Sequence, residues 1–247
     1  PYQLFFFLSS SLIIIPTYNE AENIRQIILA ALGRSDDYHV LIVDDGSPDG
    51  TAGLVKEFQI KHPERIHLLE RSGKAGLGKA YLAGFSWALE RKEYELIFEM
   101  DADFSHDPTD LNRLEQACLD GAGLSIGSRY VKNGSVKDWT WERKLLSFGA
   151  SLYVRAILGL AIKDPTAGFK CYKREVLASI PLDQVNYVGY AFQIAMKLMV
   201  ALKGFPITEV PIVFKDRELG TSKMSSAIFK EAILGVWRMR SLKKTIT

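Results

Sequence analysis

Residues 12–15 form an unbroken apolar run that ends at Pro16, the pattern of a strand buried on both faces that opens into a loop. A helix is predicted next: Ile24, Ile27, Ile28, Ala31 and Leu32 make one apolar stripe, Asn19 is placed to cap it with Glu22 three residues on, and Gly33 stops it. The unit then repeats in kind, with strands at 40–43, 66–69, 96–100 and 124–126 and helices at 54–58, 77–89 and 111–119. Strands that alternate with helices imply right-handed βαβ crossovers, so the chain is expected to be α/β with a mainly parallel central sheet. Past Gly134 the alternation weakens. An aromatic and basic loop (132–143) leads into an apolar helix (145–162), followed by a Pro/Gly-rich turn (164–169), a helix (190–203) and a strand (207–214). The last thirty residues read as a loop and one amphipathic helix.

In a parallel sheet, ligands bind beyond the carboxyl ends of the strands. The polar loops at those ends are therefore the ones to read: 16–20, 44–47, 71–79, 101–103 and 128–129. Asp101-Ala102-Asp103 follows a buried strand, so two carboxylates one residue apart open onto the ligand edge. Like charges that close need a cation, and hard oxygen ligands favour Mg²⁺ or Mn²⁺. The turn 44–51 (DDGSPDGT) can bring backbone N–H groups and a carboxylate near a base or ribose, and 73–79 (GKAGLGK) leads into a helix whose amides suit phosphate. The latter has neither P-loop nor GxGxxG spacing. Arg129, Arg143, Arg217 and Lys223 lie in polar, turn-prone contexts where they would serve phosphate oxygens.

Composition narrows the partners. Of 247 residues, 31 are basic and 29 acidic, for a net charge of +2. This is too small for a polyelectrolyte effect, so nucleic acid is not expected and any anion must meet a local cluster. The composition is that of a soluble globular chain, neither disordered nor a disulfide framework. Cys118 and Cys171 lack metal or redox spacing and are expected to be buried thiols, in keeping with a cytosol-facing protein. Neither greasy segment, 4–15 or 145–162, offers the ~20 uninterrupted apolar residues of a membrane span, and residues 2–8 lack the basic start of a signal peptide.

Taken together, PTYNE (16–20), VDDGSPDGT (43–51), KAGLGKA (74–80), MDADFSHDP (100–108), GSRY (127–130), WERKLLS (141–147), FKDR (214–217) and GTSK (220–223) resemble the dolichyl-phosphate mannose synthases. These are inverting nucleotide-sugar glycosyltransferases with the GT-A fold. The resemblance runs from about Leu12 to Lys223 and implies a catalytic domain over 1–217, including an interfacial helix at about 141–162, with a C-terminal loop and amphipathic basic helix over 218–247. Residue by residue, it implies that Pro16, Tyr18, Glu20 and Asp45 hold guanosine. Lys79, Ala102, Arg217 and Lys223 complete the donor site, the last two on the diphosphate. Asp101 and Asp103 bind the metal. Ser105 stands where some relatives carry a metal-ligating glutamine, and a hydroxyl is the weaker ligand. Arg129 and Arg143 resemble the arginines of the acceptor phosphate. The turn from Asp164 resembles a further motif of the family, without an assigned role.

The implied reaction moves mannose from GDP-mannose to dolichyl or another polyprenyl phosphate at a membrane surface, on the cytoplasmic face, making the chain a dolichyl-phosphate β-D-mannosyltransferase. A phosphate monoester is already anionic at neutral pH, so no strong general base is required; His106 reads as a turn residue. The apolar helix at 145–162 suits the headgroup region, although a core helix is also apolar all round. The basic C-terminal helix suits anionic lipid or a small membrane anchor subunit. Two rivals stay open: a glucosyl or aminosugar transferase that uses a UDP-sugar, and a haloacid-dehalogenase-type phosphatase, which Asp101, Asp103 and Ser105 loosely imitate. Asp103→Ala and Arg129→Ala are each expected to abolish transfer with the fold intact, as substitutions in loops at the ligand edge.

Overall fold

The computed structural model describes residues 10–187, 189–216 and 234–241. Its centre is a seven-stranded sheet in the order β3-β2-β1-β4-β7-β5-β8. The strands are β1 (Ser10–Thr17), β2 (Tyr38–Asp44), β3 (Ile66–Glu70), β4 (Tyr94–Glu99), β5 (Leu124–Ser128), β7 (Lys170–Lys173) and β8 (Ile207–Pro211). β6 (Ser135–Val136) and β9 (Val213–Phe214) pair separately. All pairings in the large sheet are parallel except those of β7, which runs antiparallel between β4 and β5. The mainly parallel α/β architecture expected from the alternation is therefore present. β7 is the strand that periodicity did not reveal: Lys170-Cys171-Tyr172-Lys173 has polar ends and sits behind a turn.

The period-2 geometry of a strand explains the two cores. Leu12, Ile14, Leu41, Val43 and Ile97 point to one face, under α3 (Leu77–Leu89), α6 (Arg174–Ser179) and α7 (Gly189–Leu202). Ile13, Ile15, Val40, Ile42 and Phe98 point to the other, under α1 (Ile24–Leu32) and α4 (Leu111–Leu119). Gly84 lets α3 close onto the sheet, because a Cβ there would lie 2.7 Å from Ile14 Cγ2. α2 (Thr51–Lys61) extends beyond the predicted 54–58. The expected cap of α1 is corrected: Asn19 has φ 58° and donates its N–H to Ser47 Oγ at 3.0 Å, and α1 starts after Asn23. A left-handed residue turns the chain instead of capping it.

α5 (Trp141–Leu158) carries the apolar segment. Thr140 caps it and Gly159, at φ 64°, ends it four residues short of the predicted boundary. Ser151, Val154 and Leu158 are buried. Trp141, Leu145, Phe148 and Leu152, spaced i, i+4, i+7 and i+11, form one outward stripe in which Trp141 is 70% and Leu145 63% exposed; Leu146 beside it is 58% exposed. Among the described residues no helix is long and apolar enough to cross a membrane. In the helical residues 234–241, Val236 and Met239 are buried and Leu234 and Trp237 are exposed. The rest of the predicted C-terminal loop and helix, and the boundary at 217/218, lie outside the described residues.

At the opposite, amino-terminal end of the strands, Tyr94 Oη lies 3.1 Å from His39 Nδ1 and 3.0 Å from His67 Nε2. One hydroxyl proton cannot serve both rings, so Tyr94 donates to at most one imidazole, which must be neutral to accept it, and takes an N–H from the other. Burial, then His39 and Arg91, push His67 down to about 4; burial and Arg65 also lower His39. Both shifts make the unfolded chain bind protons that the folded chain refuses. The stability from this cluster is complete above the ordinary histidine value of 6.5 and falls as the pH drops from there toward about 4. Urea midpoints at pH 7 and pH 5 should therefore show a loss in the wild type that His67→Gln reduces. Equal pH slopes in the two proteins would contradict this.

Candidate active site

The loops after β1, β2 and β4 form one polar floor. Thr17 Oγ1 and Ser47 Oγ both donate to Asp44 Oδ2, at 2.8 and 2.5 Å, closing the 44–51 turn against the end of β1. Asp45 is buried. Its carboxylate accepts from Arg71 Nη1 at 2.6 Å and from the Ala75 N–H at 3.1 Å, which ties the glycine-containing loop to β2. Lys74 Nζ sits 4.6 Å from the centroid of the Tyr18 ring. The Glu20 N–H donates to Thr51 Oγ1 at 3.1 Å, and its carboxylate receives Asn23 Nδ2 at 3.1 Å. Pro16 lies in β1 opposite Val43. Lys79 is exposed in the first turn of α3.

Asp101 stands at the centre. The buried Tyr81 hydroxyl donates to Asp101 Oδ1 at 3.2 Å, and the Asp101 N–H donates to His106 Nδ1 at 3.1 Å. His106 is buried and stacked on Phe169, with ring centroids 4.9 Å apart, so it braces the acidic turn. Ala102 is buried, Asp103 Oδ1 accepts the Ser105 N–H at 3.1 Å, and Ser105 thus holds the turn through its backbone. Loss of hydration in the partly buried turn lifts the Asp101 carboxyl above its ordinary range; His106 beside it works against this, and the Asp103 and Glu99 charges add to it.

Aromatic rings continue the site toward α5. Phe214 lies edge-on to His106 (5.6 Å) and to Trp139 (5.5 Å), and the Arg129 guanidinium sits 5.5 Å from its ring. Arg143 stacks over Trp139 at 4.2 Å and pairs with Asp216 at 2.6 Å. Arg129 is only 8% exposed. It forms a two-pronged pair with the fully buried Asp164, Nε to Oδ2 at 2.7 Å and Nη2 to Oδ1 at 2.6 Å, and Nη2 also reaches Thr166 Oγ1 at 2.8 Å. Burial raises the Asp164 carboxyl; the Arg129 guanidinium outweighs this and holds it below its ordinary range. The expectation that Arg129→Ala leaves the fold intact is thereby corrected, since alanine would strand a buried carboxylate.

The structure therefore brings together Pro16, Tyr18, Glu20 and Asp45 on one side of Asp101, Ala102 and Asp103, and Arg129 and Arg143 on the other. Arg217 and Lys223 lie outside the described residues.

The family model described as glycosyl transferase family 2 matches residues 12–180, which contain all of these strand-end loops up to α5 and the 164–168 turn. This chain belongs to glycosyl transferase family 2. The glycosyltransferase is 49% identical to a polyprenol monophosphomannose synthase of Mycolicibacterium smegmatis, over 93% of this chain and 87% of the relative. It is 45% identical to an undecaprenyl-phosphate mannosyltransferase of Micrococcus luteus, over 92% of each. In fold it is similar to the glucosyl-3-phosphoglycerate synthase of Mycobacterium tuberculosis crystallised with Mn²⁺, UDP-glucose and phosphoglyceric acid, with a TM-score of 0.68, 17% identity, and 94% of this chain and 80% of that one covered. The fold is GT-A.

The donor set of the glycosyltransferase fits a hard divalent cation. Asp101 and Asp103 offer only oxygen, their mutual repulsion is what a cation relieves, and the Asp101 side chain remains about one-third exposed (35%). Among the described residues no group of three or more His, Cys, Asp or Glu side chains is arranged to hold a metal. The remaining coordination positions would fall to substrate and water. Several contributors escaped the sequence reading. Tyr81 hides within an apolar helix, and Asp164, in a turn singled out without a role, has no local sign of its arginine partner thirty-five residues away. Glu99, Lys170 and Gln193 form a buried polar network under the site, with Lys170 Nζ 2.7 Å from Glu99 Oε1 and Gln193 Nε2 3.0 Å from Glu99 Oε2.

Proposed function

We propose that the enzyme transfers mannose from GDP-mannose to a polyprenyl phosphate, dolichyl phosphate included, with inversion at the anomeric carbon, while bound peripherally to the cytoplasmic face of a membrane. The observation that carries this reading is the junction at α5. The acidic turn, a ledge of arginines and aromatic rings, and an outward apolar stripe follow one another without a gap, the order in which a leaving diphosphate, an acceptor phosphate and a lipid tail would lie. The substrates named for the relatives at 45% and 49% identity are of that kind.

In this reading Pro16, Tyr18, Glu20 and Asp45 hold guanosine, with Asp45 fixed by Arg71, while Lys79 and Ala102 line the donor site and Arg217 and Lys223 hold the diphosphate. Mg²⁺ or Mn²⁺ held by Asp101 and Asp103, with Ser105 as the weaker third candidate, supplies charge neutralisation for the diphosphate as it leaves. Arg143 and the outer edge of Arg129 orient the acceptor phosphate, whose second proton is lost near pKa ~6, so its oxygen attacks without a general base. His106 has no proton to move in this scheme and serves as a brace. The C-terminal helix is the proposed contact for anionic lipid or a small anchor subunit.

The test offers GDP-mannose, UDP-glucose and UDP-N-acetylglucosamine in turn with polyprenyl phosphate and Mg²⁺ or Mn²⁺, and measures sugar carried into the organic phase. Transfer from GDP-mannose alone is expected; transfer from UDP-glucose alone would overturn the donor assignment. For the membrane arm, Leu145→Glu with Leu146→Glu is expected to cut transfer to vesicle-borne acceptor about tenfold or more, since two exposed leucines lose their apolar contact. Transfer to a short-chain acceptor in detergent should stay within about twofold. Equal losses in both assays would place α5 outside any lipid contact.

A further inference from the structure

We infer that Lys197 is a positioning residue that holds the 164–168 turn between the two halves of the site; the inference rests on the polyprenyl-phosphate reading above. Lys197 lies in α7 and is fully buried. Its ammonium donates to three carbonyl oxygens: Pro165 at 3.1 Å, Ala167 at 2.6 Å and Gln193 at 3.2 Å. The first two interleave with the residues that do the work of the turn. Asp164 and Thr166 grip Arg129 on the acceptor side. Gly168 closes against the metal side, where a Cβ would lie 3.2 Å from His106 Cε1 and 3.8 Å from Asp101 Oδ2. One cation in the helix behind therefore pins a five-residue turn whose even-numbered positions reach Arg129 in one direction and the Asp101 and His106 pair in the other.

The chemistry of the contact argues against simple packing. Burial pushes the lysine pKa down, and Lys170 nearby adds to this. Yet all three partners are acceptors, so the –NH₃⁺ form with three donors is the one that satisfies them. A buried ammonium is costly, and leucine or methionine would fill the space in α7 without that cost. What an apolar side chain cannot do is set the direction of two peptide carbonyls in a loop that has no regular secondary structure. Displacement of about 1 Å in groups that orient a reactant can cost up to about 10²-fold in rate, and among the described residues Asp164 is the one carboxylate that pairs with Arg129 and can hold it.

The test compares wild type, Lys197→Met, which keeps length and loses every donor, and Lys197→Gln, whose amide keeps part of the donor capacity. Thermal melts and steady-state transfer are measured with each substrate varied in turn. The expected result is a KM for polyprenyl phosphate raised about tenfold in Lys197→Met, a smaller rise in Lys197→Gln, and a KM for GDP-mannose within about twofold of wild type in both, because Asp101 keeps its bond from the Tyr81 hydroxyl and His106 its stack on Phe169. If Lys197→Met fails to fold, the same split between the two KM values is required of Lys197→Gln. Unchanged KM values for both substrates, or both rising in step with a falling melting temperature, would overturn the positioning role. A wild-type protein that transfers nothing to polyprenyl phosphate would instead overturn the functional reading beneath it.

Discussion

Asp103→Ala is expected to lower sugar transfer by about 10²–10³-fold or more while the protein remains folded. The carboxylate is one of two oxygen donors for the cation proposed to neutralise the leaving diphosphate, and removing a preorganised electrostatic group of this kind has effects of that order. The cost in stability is small by comparison. Alanine forfeits the bond from the Ser105 N–H, about 1 kcal/mol, and relieves the repulsion that raises Asp101. Labelled mannose recovered in the organic phase and a thermal melt, taken on the same preparation, check the two halves of the prediction. Turnover like that of wild type would remove Asp103 from the site.

Arg129→Ala is expected to lose activity and stability together. Its partner Asp164 is fully buried and accepts from Nε, Nη2 and the Arg129 backbone N–H. Removing one member of a buried pair leaves an uncompensated charge, a loss of about 3–5 kcal/mol. The double variant Arg129→Met/Asp164→Leu separates the two roles, because replacing both charges with apolar groups removes the stranded carboxylate. It should recover most of the urea midpoint and none of the transfer. An Arg129→Ala protein as stable as wild type would show that the pair contributes nothing to the fold; an active double variant would show that Arg129 has no part in the reaction.

The contrast between these two residues shows where sequence reading succeeds. Asp101 and Asp103 stand at the end of an apolar strand, and strand-end position in a parallel sheet is a local property that periodicity reveals. The helices 77–89 and 111–119 were legible for the same reason, their apolar spacing and stops being local. Arg129 sits at a strand end too, but its burial depends on Asp164, thirty-five residues on and in a turn with no periodic signal. β7 was missed because four residues with lysines at both ends look like surface, and only the sheet supplies Glu99 as the partner of Lys170. The outward stripe of α5 was ambiguous in sequence, since a helix apolar all round fits a core equally well; three buried residues against five exposed ones decide between these.

The enzyme is proposed to transfer mannose to a polyprenyl phosphate by a single displacement. The most direct measurement supplies the enzyme with GDP-mannose, whose mannose is α-linked, and polyprenyl phosphate with Mn²⁺, and determines by NMR the anomeric configuration of the lipid-phosphate mannose formed. The predicted product is β-linked, from attack of the acceptor oxygen opposite the leaving diphosphate. An α-linked product, or GDP-mannose consumed with no mannose on the lipid phosphate, would contradict the account.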